Sequence, residues 1–233
     1  MKNQYFGDIN DYRKYGLLRT LNRASGLSIG VCWLLTGDDR SDDGGLRNYL
    51  AKPSHWQHLD PELYDKLRRL SQPWIRPMVQ YAWQWELMPG ATYFEAFVSD
   101  NRSEREAYLT AALKALHRCD LIFFDPDIGI EVHGTPPGRR GSSAYVYWAE
   151  LQKAYEHGHS LLVYQYFPRV PRERFVPFLA SRIGEEFGSG QVTAFVTPYV
   201  AFFLVSQPAH VGALSEAAEE VRSGWRGQIE LWP

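Results

Sequence analysis

Cysteine is scarce in this chain: two in 233 residues, Cys32 and Cys119, each in or beside an apolar run and neither with a companion at ligand spacing. That makes neither a disulfide framework nor a zinc site, and a reducing compartment is the expected setting. Long apolar runs are missing too. No window approaches the roughly 18 apolar residues of a membrane span, and residues 1–8 lack the apolar core of a signal peptide. The expectation is a cytoplasmic protein with no membrane partner. Neither sign of charge is in large excess, with 25 Lys and Arg against 27 Asp and Glu, so any nucleic-acid binding needs a local patch. No segment repeats and none is of low complexity. What is plentiful is aromatic: 15% of the residues, eight of them Trp, serving either as core mass or as stacking surface.

Along the chain, Asp8 or Asn10 is placed to cap a helix over residues 11–21, which Gly26 ends. Residues 27–35 read as a buried strand that runs into a polar loop, 36–45, with four Asp. Residues 46–90 hold no convincing strand, carry helical leucine spacing (Leu59, Leu63, Leu67, Leu70), and contain Trp56, Trp74, Trp83 and Trp85. This stretch is expected to be a helical insertion whose tryptophans are mainly core, with a base-stacking platform as the alternative. Then follow a strand at 91–98, a helix at 103–117 with a capping box at Ser103 and Glu106, a strand at 121–124 and a helix at 144–157. A strand at 160–166, a helix at 171–187, an antiparallel hairpin of 191–197 with 200–206, and a helix at 211–222 complete the order. It is the order of one α/β, Rossmann-like domain of methyltransferase type over residues 1–233, its mostly parallel sheet ending in a hairpin.

The run Leu121, Ile122, Phe123, Phe124 stops at Asp125-Pro126-Asp127. Four apolar residues closed by a proline read as a strand buried on both faces, and ligands of open α/β sheets bind beyond the carboxyl ends of such strands. Asp125 and Asp127, with Glu131 further on, are therefore the leading candidates for chemistry. Together with Asp38, Asp39, Asp42 and Asp43 in the first loop they invite a second reading, in which Asp38, Asp42, Asp125 and Asp127 hold Mg²⁺ or Mn²⁺ in a nuclease or phosphohydrolase. Arg139, Arg140 and Arg169, with Arg172 and Arg174, form the expected basic rim for phosphate. Residues 134–143, rich in Pro, Gly and Arg, are the expected mobile loop. His157 and His159 flank Gly158, a helix-end arrangement rather than a metal site.

Gly7-Asp8-Ile9-Asn10-Asp11-Tyr12-Arg13-Lys14-Tyr15 falls into the spacing Gly-Asn-x-x-Asp-x-x-Lys-His, with Tyr15 in place of the His, and Asp125-Pro126 matches the first half of an Asp-Pro-Pro-Tyr motif. Residues 158–169, ending in Tyr166-Phe167-Pro168-Arg169, supply a third match. In these features the chain resembles the bacterial adenine-N6 methyltransferases that act on large-subunit ribosomal RNA. The resemblance implies S-adenosylmethionine as cofactor, held by Lys14, Tyr15, Thr36, Gly37 and Asp38, a nucleic acid as partner, and methyl transfer to a base nitrogen beside Asp125. Departures from the pattern are Asp127-Ile128 in place of Pro-Tyr and an Asp-rich first loop in place of a Gly-rich one. A degenerate domain of this type that only binds is the non-enzymatic alternative.

Overall fold

The computed structural model describes residues 1–39, 44–131, 134–188 and 192–232. Its strands are β1 (Ile29–Cys32), β2 (Thr92–Phe94), β3 (Leu121–Phe124), β4 (Gly129–Ile130), β5 (Tyr145–Val146), β6 (Ser160–Tyr166), β7 (Val192–Val196), β8 (Val200–Val205) and β9 (Glu230–Trp232). The helices are α1 (Ile9–Ser25), α2 (Pro53–Trp56), α3 (Pro61–Leu70), α4 (Tyr81–Gln84), α5 (Arg102–Ala115), α6 (Trp148–Glu156), α7 (Arg172–Phe187) and α8 (Val211–Gly224). Seven strands make one sheet in the order β2-β1-β3-β6-β8-β7-β9, while β4 and β5 form a separate parallel pair. β1, β2, β3 and β6 run parallel; β8 is antiparallel to β6, β7 pairs with β8 as a hairpin, and β9 lies antiparallel along β7. The architecture is α/β with a mixed, mostly parallel sheet.

Why the central strands read as unbroken apolar runs is visible in their two faces. Leu121 and Phe123 enter one core with α1, α3 and α8, whereas Ile122 and Phe124 enter a second core with α5, α6 and α7. β8 divides in the same way, Phe202 and Leu204 to the first core and Ala201 and Phe203 to the second. Side chains alternate along a strand, so Asp125, next after Phe124, belongs to the α1 side. β3 lies between β1 and β6, in the interior of the sheet, as its composition requires.

α1 starts where its sequence says it must: Asp8 accepts from the backbone N–H groups of Asn10 and Asp11, and Gly26 closes the helix in the left-handed conformation. α5 departs from expectation. Its cap is Asn101, whose Oδ1 accepts from Ser103 N and Glu104 N, so no Ser103 capping box forms. α6 begins at Trp148 rather than 144 because Tyr145 and Val146 pair with β4. β9 and the β4-β5 pair have too few residues to announce themselves in sequence.

Between β1 and β2 the described residues form the helices α2 to α4 and, at Leu35, an isolated parallel bridge to Phe97. The tryptophans of this stretch correct the expectation of core packing. Trp56 packs at the rim of the α1 core, but Trp74 is 80% exposed, Trp83 46% and Trp85 43%. α4 is a single turn, and Ala82, Leu87 and Met88 take the buried positions instead. Among the described residues, no helix is long and apolar enough to cross a membrane.

α1 and α8 meet at Gly16, where a Cβ would stand 1.8 Å from Cζ2 of Trp225, a ring that is itself buried. Neither the helix axis nor the indole has room to give. Gly16→Ala is expected to lower unfolding free energy by about 3 kcal/mol, the upper part of the overpacking range, despite the better helix propensity of Ala. Urea denaturation would check this, since an unchanged midpoint would mean that the contact relaxes freely.

Candidate functional site

Beyond the carboxyl ends of β1 and β3 lies a cavity of about 480 Å³, walled by α1, the first loop, the Asp125–Asp127 turn and the β7-β8 hairpin turn. Its inner wall is ionic. Lys14 reaches from α1 so that Nζ is 2.7 Å from Asp125 Oδ2 and 2.7 Å from Asp11 Oδ1, with all three residues buried. Burial opposes the charge on Lys14, but Asp11 and then Asp125 outweigh it and raise the pKa above the ordinary lysine value. Burial likewise pushes the Asp125 carboxyl upward; Lys14 and the N-terminal ammonium pull it back without cancelling the rise. The ammonium of Lys14 also lies 5.3 Å from the ring of Trp33.

A second cation completes the wall. The α-ammonium of Met1 donates to Leu34 O at 3.1 Å and Asp125 O at 3.0 Å, the backbone ends of the first and third strands. It stands 2.8 Å from Asp127 Oδ1, an ion pair by distance without a hydrogen bond's alignment. Thr36 N donates to Met1 O at 3.0 Å, and Thr36 Oγ1 donates to Asp127 Oδ2 at 2.6 Å. Leu34 adopts φ 45°, the left-handed region that a non-glycine residue enters at a cost, and so turns its carbonyl into the crevice.

Of the residues singled out in sequence, Lys14, Asp125 and Asp127 line the cavity, and Thr36 joins them through Asp127. Tyr15 does not. Its ring is fully buried against Trp33, and it touches the cluster from behind, its hydroxyl donating to Asp11 and its ring 5.4 Å from Lys14 Nζ. Gly37 and Asp38 are exposed, and Asp38 accepts from Gln4 N instead of a ligand. Asp42 and Asp43 lie outside the described residues. Glu131 belongs elsewhere, for its Oε1 accepts from Trp148 N at the start of α6. Arg139, Arg140 and Arg169 are exposed and do not line the cavity, although their segments reach it through Ala144 and Tyr166. Arg139 instead donates to Gly134 O in its own loop. His157 and His159 bond the carbonyls of Lys153 and Cys119, as helix-end residues do. Among the described residues no three His, Cys, Asp or Glu side chains are grouped to hold a metal, and Asp125 and Asp127 pair with Lys14 and the Met1 ammonium.

Five functional candidates escaped the sequence reading. Asp11 carried a signal, since it precedes Lys14 by three residues on a helix. Tyr164, Tyr166 and Tyr199 line the opposite wall, the last two roughly half exposed. Glu95, directly after β2, holds Oε1 buried with no hydrogen-bond partner, and burial raises its pKa. Read as mid-strand, it gave no sign of standing at a strand end.

No family model matches the chain, and no curated protein does. The crystal structure of protein LPL1258 from Legionella pneumophila str. Philadelphia 1, described under the family model DUF519, is similar at a TM-score of 0.50 and 12% identity. The match covers 97% of this chain and 96% of that one. At that identity the likeness concerns the α/β fold alone.

Asp8, the α1 cap, also borders the cavity, and burial followed by the charge of Asp11 pushes its carboxyl up from 3.8 to about 7. Between those values the folded protein holds a proton that the unfolded chain has lost, so this group's contribution to stability falls as pH rises through the window. Asp8→Asn keeps the cap and removes the buried charge. The variant is expected to gain on the parent by on the order of 1 kcal/mol or more between pH 5 and pH 8. Urea melts at both pH values would read the difference, and a pH-independent gap would refute it.

Proposed function

We propose that the protein binds S-adenosylmethionine over the ends of β1 and β3 and transfers its methyl group to a nitrogen of a nucleic-acid base, in a Rossmann-like domain of methyltransferase type. The observation that carries this reading is the stand-in at the site. A methionine, Met1, is held there by its ammonium on Leu34 O, Asp125 O and Asp127 and by its carbonyl on Thr36 N. That set of acceptors and donor is complementary to the amino-acid end of the cofactor, whose ammonium and carboxylate call for the same partners.

The hairpin β7-β8 after the parallel strands also fits this type of sheet. So does the buried Oε1 of Glu95, which has no hydrogen-bond partner, at the end of β2, where ribose hydroxyls are commonly met in open α/β sheets. When bound, the cofactor supplies a sulfonium methyl that a nitrogen lone pair takes, the S–C electrons staying on sulfur. The chain's own contribution is placement. Lys14 fixes Asp125 by one oxygen, and Oδ1 enters no described hydrogen bond and is the acceptor for a base amino N–H. Tyr166 and Tyr199 offer ring faces for a base where the resembled motif has its Tyr and this chain has Ile128, stacking being worth about 1–3 kcal/mol per base.

The structure also revises what Asp125→Asn does. The sequence alone implies an intact fold, yet Asp125 is half of a buried ion pair. Because Asp11 still neutralises Lys14, the loss should be about 1–3 kcal/mol, below the roughly 3–5 of a fully orphaned charge. Labelled S-adenosylmethionine with RNA and DNA substrates would measure the activity, expected to fall at least about 100-fold in Asp125→Asn per folded molecule. Calorimetry tests the premise: no heat from S-adenosylmethionine with any form of the protein would end this reading.

A further inference from the structure

The residue that imitates the cofactor also blocks it. Met1 is 3% exposed, and its ammonium donates to two backbone carbonyls and ion-pairs with Asp127. Its sulfur lies 3.7 Å from Lys14 Nζ, so side chain and backbone together fill the space between the strand ends. A second ammonium cannot use Leu34 O, Asp125 O and Asp127 while Met1 does. Resting on the cofactor reading above, we propose that the segment 1–4 is an autoinhibitory strap that competes with the amino-acid end of S-adenosylmethionine and must leave the crevice before the cofactor enters.

How the strap is fastened supports release. Beyond Met1, its contacts with the first loop lie at the exposed rim: Gln4 N donates to Asp38 Oδ1 at 3.1 Å, Gln4 Nε2 to Asp39 Oδ1 at 3.1 Å, and Asp39 N to Gln4 Oε1 at 2.8 Å. Lys2 pairs with Asp39 and stands 3.6 Å from Asp127. Asn3 Oδ1 accepts from Val79 N, tying the strap to the insertion as well. Exposed charge pairs are weak and screened by salt, so the hold on residues 2–4 loosens more readily than the buried bonds of Met1. Cofactor affinity is then the intrinsic affinity reduced by the fraction of molecules with the strap out.

The test is calorimetric titration of S-adenosylmethionine into three forms of the full chain. These are the parent, a Lys2→Ala/Gln4→Ala variant that loosens the rim and leaves the acceptors Leu34 O and Asp125 O in place, and a form with Gly-Ser-Gly added ahead of Met1, which turns its ammonium into an amide. Both altered forms are expected to bind about tenfold or more tightly than the parent. Hydrogen exchange gives a readout that does not depend on affinity: saturating cofactor should deprotect the amides of Gln4 and Thr36 in the parent. Equal affinity in all three forms with unchanged protection at Gln4 and Thr36 would overturn the strap and leave the cofactor reading standing. Absence of binding in all three, including the form whose ammonium is gone, would overturn both.

Discussion

A single buried cation, Lys14, ties α1 to the end of β3. Asp125 follows a strand whose two faces are covered, and a carboxylate there without a partner would be driven to neutrality or out of the fold. Lys14 answers it while Asp11, one helical turn back, keeps the pair from being strictly one to one. The arrangement fixes the height of α1 against the sheet, since sliding the helix by one turn would part Nζ from Asp125 Oδ2. From that height the rest of the site follows. Asp8 comes to the cavity rim, Tyr15 goes under Trp33, and the N-terminal residues are delivered across the gap between β1 and β3.

The electrostatic balance of the crevice is set by the same group. Among the described residues, Asp8, Asp11, Asp39, Asp125 and Asp127 face Lys14, Lys2 and the Met1 ammonium, five carboxylates against three cations. Asp8 is the acid whose protonation relieves the excess. With Met1 displaced the surplus of negative charge grows by one, so the crevice prefers a cationic guest, and a small anion would meet repulsion there. That preference separates this site from a phosphate pocket, and it matches the absence of arginine from the lining among the described residues.

Much of this could be read from sequence because the signals were local. Leu121 to Phe124 had to be an interior strand, and Asp125 had to stand at its end. Asp8 and Gly26 marked the limits of α1 within a residue or two. What escaped was set by distant parts of the chain. Tyr199 sits in a hairpin turn far along the chain from α1, yet it closes the cavity that Asn10 borders. Trp83 and Trp85 misled because helical spacing was assumed where only one turn of helix exists. Glu131 looked catalytic because it follows Asp125 and Asp127 beyond the strand end, whereas its Oε1 accepts from Trp148 N at the start of α6. Lys14 was singled out by resemblance, whereas its spacing from Asp11 alone would have paired the two.

The sheet's margins carry a consequence of a different kind. β2 and β9, the outermost strands, are three residues each, and the longer β7 is shielded because β9 lies along it. An intruding strand finds too short a template on either side to hold its register, so the protein is guarded against edge-to-edge association without needing charged gatekeepers there.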